Sequence, residues 1–140
     1  MATYYADTSF WIALSRKRDQ HHPCAVAWRQ FVTRTRSTII TTEAVLLEWL
    51  NAMPHASTRH VAAESCLRVR AAARVEVIPF QAELLASAIE FYRGRAGRSW
   101  SLTDCLSFLV MERRGVAEAL TTDHDFEQAG FKALMIAFPP

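Results

Sequence analysis

Five short apolar runs separated by stretches of helical period limit what this chain can fold into more than any other feature. The runs are "TYYAD" (3–7), "STII" (37–40), "RVEVIPF" (74–80), "EALTT" (118–122) and "KALMIAF" (132–138). Between them lie "TSFWIALSRKR", "HHPCAVAWRQFVTRT", "TTEAVLLEWLNAM", "STRHVAAESCLRVRAAA", "QAELLASAIEFYRGR" and "SLTDCLSFLVMERRG", which read as helices. Local stop and start signals agree. Pro23 falls in a first turn, threonines precede Glu43 at a cap position, and Gly115 follows a last turn. Repeated strand–helix–strand units imply a mainly parallel central sheet with helices on both faces, an α/β/α sandwich. The length suits one domain over residues 1–140. In such sheets ligands bind beyond the carboxyl ends of the strands. Asp7 and Asp123 both fall at an end of that kind.

Composition excludes several classes. With 51% hydrophobic and 21% charged residues the chain folds rather than staying disordered. Cys24, Cys66 and Cys105 have no CxxC spacing, which argues against a disulfide framework or a zinc knuckle, and "HHPC" has no second ligand cluster at zinc spacing. No run approaches the ~18 apolar residues of a membrane span. "MAT" passes directly into a strand without a basic leader, so a reducing cytoplasmic location is expected. A net charge of +2 identifies no partner by itself. Only Lys17 and Lys132 are lysines among 16 basic residues. Arginine forks suit phosphate, although a GC-rich genome explains the bias equally well.

The acids at element ends carry the chemistry. Asp104 opens a helix, where the dipole alone would favour it, and Asp7 and Asp123 have the alternative role of helix caps. Glu43 and Glu48 lie five positions apart on one helix and point in different directions at about 100° per residue. Glu43 is in the first turn. Glu48 is mid-helix with Ala44 and Ala52 four residues away, so no cation pairs with it along the helix. A solvated helix face is the other reading of Glu48. Taken together, Asp7, Glu48, Asp104 and Asp123 are oxygen donors that repel one another unless a cation sits between them. Hard oxygen ligands without a matching His or Cys set favour magnesium or manganese.

"ADTSFWIALSRKRDQHH", "TTEAVLLEWLNAM", "SLTDCLSFLVMERRG" and "ALTTDHDFEQAGF" resemble, in order and over nearly the whole chain, the motif blocks of PIN-domain ribonucleases. The VapC-type toxins of toxin–antitoxin pairs are the nearest in pattern. The resemblance makes Asp7, Glu48, Asp104 and Asp123 the catalytic and metal-binding acids. Asp125 matches a position acidic in only some members. Thr8, Ser9 and Thr121 match hydroxyl positions that orient carboxylates or water. The activity so implied is Mg²⁺- or Mn²⁺-dependent hydrolysis of RNA by water, leaving a 5′-phosphate. A small antitoxin whose C-terminal segment blocks the cleft, and a two-fold homodimer, are the implied partners. The surface near the early helices takes part in such contacts in the family, so Trp11 and Trp28 are either core or partly interfacial.

"YRGRAGRSW" leads into the helix that carries Asp104. Arg93, Arg95 and Arg98, set among glycines, offer a strip for a phosphate backbone, with Trp100 beside them to stack a base. A solvated loop is the alternative. Two other phosphoryl-handling folds fit poorly. A haloacid-dehalogenase site needs an Asp where Ser9 stands, and a receiver domain needs an Asp after "RVEVIPF". A catalytically silent PIN-like module that binds RNA or a partner remains the competing reading from another class.

Overall fold

The structure, a computed structural model, describes residues 1–140. Five strands, β1 (Thr3–Ala6), β2 (Thr38–Thr42), β3 (Val75–Ile78), β4 (Glu118–Leu120) and β5 (Lys132–Ala133), form one sheet in the order β3-β2-β1-β4-β5. Every neighbouring pair is parallel, as the alternation of elements requires. The helices are α1 (Thr8–Ser15), α2 (His22–Arg34), α3 (Glu43–Asn51), α4 (Ala56–Ala71), α5 (Ala82–Arg93), α6 (Leu102–Arg114) and α7 (His124–Gln128). They flank the sheet in the expected α/β/α arrangement. None is long and apolar enough to cross a membrane.

The central strand is short and buried on both faces. Tyr5 and Ala6 of β1 are fully enclosed, as are Thr41 and Thr42 at the end of β2. Two buried threonines at a strand end need partners. The Thr41 hydroxyl donates to the Ala6 carbonyl at 2.9 Å and accepts from the Trp11 indole at 3.4 Å. The Thr42 hydroxyl accepts from the Val45 amide at 3.1 Å and so caps α3. α6 is buried almost all round, through Cys105, Leu106, Ser107, Phe108, Val110 and Met111. Its last turn closes on Gly115 in the left-handed conformation, φ 66°, which glycine adopts without a Cβ penalty.

Two expectations change. "KALMIAF" pairs only through Lys132 and Ala133 and then turns into a 3₁₀ helix, Leu134–Ile136. Leu134 and Met135 are consecutive and both buried, whereas a strand would send them to opposite faces. The Met135 amide donates instead to the Thr121 carbonyl. Trp11 and Trp28, which had an interfacial alternative, are core residues at 5% exposure each. Trp11 stacks on Trp49 at 5.5 Å, and the Trp28 indole donates to the Ala137 carbonyl at 2.8 Å.

Candidate active site

The sheet order brings β4 beside β1, and there the order in which strands are added reverses: β2 and β3 lie on one side of β1, β4 and β5 on the other, all parallel. In open parallel sheets, ligands bind beyond the carboxyl ends of the strands at such a switch point. The Asp7 amide extends the pairing by donating to the Leu120 carbonyl at 3.2 Å. Asp7 thus faces the segment Thr121–Asp123 although more than a hundred residues separate them in sequence.

Asp7 stands at the first position before α1, yet its carboxylate makes no capping bond to that helix. Its Oδ2 accepts from the Thr121 hydroxyl at 2.8 Å and from the Ser9 hydroxyl at 3.2 Å. Ser9 and Thr121 are 3.1 Å apart. The Thr121 hydroxyl also accepts from the Asp123 amide at 3.0 Å, and Ser9 from the Thr122 amide at 3.2 Å. Two hydroxyls therefore tie the ends of β1 and β4 to one carboxylate. Asp7 is 5% exposed. Burial pushes its carboxyl up to about 6, the hydrogen bond from the Thr121 hydroxyl and the nearby Thr8 backbone N–H oppose that, and the charge of Asp104 adds to it.

Asp104 occupies the third position of α6. Its Oδ2 accepts from the Ser101 amide at 3.1 Å while its own amide donates to the Ser101 hydroxyl at 3.0 Å, a reciprocal capping box. Asp123 caps α7, its Oδ1 accepting from the Asp125 amide at 2.8 Å. The capping roles are thus real for Asp104 and Asp123, and they fix the orientation of both side chains. The carboxylates of Asp104, Asp123 and Asp125 each offer an oxygen within 4.8 Å of the others. Burial, then the charges of Asp123 and Asp125, push the Asp104 carboxyl up to about 6. Asp125 is also raised, by burial and by Asp123, with Arg98 and His124 pulling the other way.

Glu48 is half-buried on α3 and lies outside the tight trio. It lines a groove of about 250 Å³ together with Asn51 and with Leu102 and Thr103 of the first turn of α6. Glu43 points elsewhere, accepting from the Phe80 amide at 2.7 Å and facing Arg70 at 3.8 Å. None of Asp7, Glu48, Asp104, Asp123 and Asp125 forms an ion pair, whereas Glu43, Glu76, Glu83, Glu90, Glu118 and Glu127 each have a cationic or histidine partner. His124 belongs to the surface, paired with Glu127.

These residues fit a hard divalent cation. The donors are carboxylate oxygens with no thiolate or imidazole among them. The Thr8 hydroxyl, beside Asp7, is buried without any partner, the kind of polar atom that a bound water or ion satisfies. Ser101 was not singled out from sequence, although the spacing Ser-x-x-Asp before an apolar helix is its signal. Ser101→Ala is expected to destabilise the protein by about 1 kcal/mol through loss of the cap. Thermal unfolding beside wild type checks this, and an unchanged midpoint would show the cap to be idle.

The basic segment is rearranged relative to expectation. Trp100 is 8% exposed, stacked on Phe91 at 6.2 Å and edge-on to Phe108 at 5.0 Å, so its faces are not open to an incoming base. An indole flanked by aromatics from two helices gains more from the core than from solvent. Arg93 is paired with Glu90 on the exposed side of α5. Arg95 and Arg98 lie over aromatic rings and have no acidic partner.

The family model for the PIN domain matches residues 4–132. The 23S rRNA-specific endonuclease VapC20 of Mycobacterium tuberculosis is 31% identical over 128 residues, spanning 91% of this chain and 94% of that protein. The crystal structure of M. tuberculosis VapC20, a Sarcin-Ricin loop cleaving toxin, superposes with a TM-score of 0.78 at 29% identity, covering 91% of this chain and 95% of the other. VapBC2 from Rickettsia felis shares the fold at a TM-score of 0.67 and 16% identity, with 94% and 96% coverage. With its parallel sheet, its acids at the switch point and a family match over nearly its whole length, this chain belongs to the PIN-domain family.

Proposed function

We propose that this chain, acting as one domain over residues 1–140, is a metal-dependent endoribonuclease and the toxin of a toxin–antitoxin pair. One observation carries the proposal: Asp7, Asp104, Asp123 and Asp125, beside the switch point, have no ion-pair partner, while the glutamates elsewhere on the surface are largely paired. Such a concentration of negative charge is costly, and a bound divalent cation repays it. Its relatives support the nuclease reading, since VapC20 is a 23S rRNA-specific endonuclease.

Asp104, Asp123 and Asp125 would hold Mg²⁺ or Mn²⁺, with Asp7 completing the inner side and Glu48 the side of α3. The ion supplies Lewis acidity toward water and the scissile phosphate. The chain's own residues do the positioning. Thr121 and Ser9 hold Asp7 in one orientation. The Ser101 amide and the Asp125 amide each occupy one oxygen of Asp104 and Asp123 and leave the second free. Water, rather than a side chain, is the nucleophile in this reading, because the site holds no cysteine, the Ser9 and Thr121 hydroxyls are engaged with the Asp7 carboxylate, and the Thr8 hydroxyl is buried.

EDTA should stop cleavage and added Mg²⁺ or Mn²⁺ should restore it, with 5′-phosphate ends on the products. The relative's substrate makes 23S rRNA the first RNA to test. Full activity in EDTA would overturn the metal mechanism. RNA binding without cleavage at any Mg²⁺ concentration would favour the silent module instead.

The partner follows from the same charge. An arginine or lysine on the C-terminal segment of an antitoxin would substitute for the metal among Asp7, Glu48, Asp104 and Asp123 and exclude RNA. The chain itself is proposed to form a two-fold dimer, the commonest symmetry for small soluble proteins.

A further inference from the structure

We propose that the cavity at the far end of α7 is a binding site for one unstacked nucleobase of the RNA, next to the site of cleavage; this rests on the nuclease reading above. The cavity has a volume of about 360 Å³ and is lined by Arg95, Arg98, Trp100, Glu112, Gln128 and Phe131 among others. That is near the lower end of pockets that enclose small ligands. α7 connects it to the acids. Asp123 caps this five-residue helix, Asp125 lies in its first turn and Gln128 is its last residue. Arg98, in the cavity wall, acts electrostatically on Asp125. A strand whose phosphate lies at the acids would therefore carry a flanking nucleotide to the cavity mouth.

The walls suit a base rather than a phosphate alone or an apolar peptide. The Arg95 guanidinium lies 4.4 Å from the centre of the Phe91 ring, and that of Arg98 5.5 Å from the Trp100 ring. Neither arginine has an ion-pair partner. A guanidinium laid over an aromatic ring presents a flat cationic surface, and unpaired bases stack on such planes. Trp100 is therefore not the stacking platform; it supports the arginine that is. Glu112 and Gln128 supply acceptors and a donor for a base edge, and the arginine forks supply donors. The Trp100 indole N–H, buried in this wall, has no hydrogen-bond partner within the protein. That atom is closed to solvent, so it is not a ligand contact; as part of the wall it reports on a base bound beside it.

The test is nitrogen–proton NMR of the full chain in EDTA, titrated with guanosine 5′-monophosphate and, separately, with ribose 5-phosphate. Guanine presents O6 and N7 to an arginine fork. Trp100→Phe assigns the indole resonance; should that variant not fold, Arg98→Ala provides the readout alone. The expected result is a saturable shift of the Trp100 indole with the nucleotide and none with the sugar phosphate. Arg98→Ala should weaken binding by about fivefold to a hundredfold. No shift with the nucleotide, an equal shift with ribose 5-phosphate, or unchanged binding in Arg98→Ala would overturn the base site. RNA cleavage by the same wild-type protein, freed of EDTA and supplied with Mg²⁺, separates the two proposals. Cleavage without nucleotide binding refutes only the base site. Nucleotide binding without cleavage refutes the nuclease and leaves the base site standing.

Discussion

Asp104→Asn should yield a folded protein that cuts RNA about a thousandfold more slowly, corresponding to ~4 kcal/mol of lost stabilisation. The substitution nearly preserves volume, and the amide oxygen still accepts from the Ser101 amide, so the capping box at the start of α6 survives. What disappears is one negative charge from a trio whose oxygens lie within 4.8 Å. Loss of that charge relieves the repulsion that Asp123 and Asp125 exert on Asp104, and with it the site's hold on a cation. Cleavage rate and Mn²⁺ affinity should therefore fall together while circular dichroism stays unchanged. A variant within tenfold of the wild-type rate would remove Asp104 from the catalytic set.

Asp7→Asn should raise the stability of the metal-free protein above neutral pH by on the order of 2–3 kcal/mol. The folded state holds the Asp7 carboxyl at about 6, against an ordinary value of 3.8. Between those two values the folded chain binds the proton more strongly than the unfolded chain does. The stability linked to Asp7 is thus fully present below 3.8 and is lost as pH rises through about 6. Above that pH a buried carboxylate charge is retained at a cost, and Asn carries none while keeping the bond from Thr121. At 140 residues, ~1 kcal/mol corresponds to roughly 3 °C of melting temperature. The variant should melt several degrees higher at pH 8 and show little difference near pH 4. Mg²⁺ should stabilise wild type and have little effect on the variant. A lower melting temperature for the variant at pH 8 would show that the Asp7 charge is not a burden to the fold.

The elements were largely legible in sequence because their signals are local. Apolar runs, a capping threonine at position 42, and the glycine after Arg114 act within one or two turns of the residues they organise. The placement of Asp7 and Asp123 at strand ends was legible for the same reason. The sheet's parallel character followed from alternation alone. The exception was "KALMIAF", whose composition fits a strand until the burial of Leu134 and Met135 together decides otherwise.

The sequence by itself determined an α/β chain with acids at the ends of its strands, and its motif blocks placed it within one family. Which acids meet was decided by the order β3-β2-β1-β4-β5, since only the adjacency of β1 and β4 brings Thr121 to the carboxylate of Asp7. Asp125 enters the tight trio, and Glu48 stays outside it, because α7 turns back beside the start of α6 while α3 presents its glutamate to the neighbouring groove. Trp100 looked like an exposed stacking residue, yet Phe91 and Phe108, brought by two helices, enclose it. The same packing that hides the indole carries Arg98 on its ring. Periodicity reports which face of an element is apolar; only tertiary packing decides what that face meets.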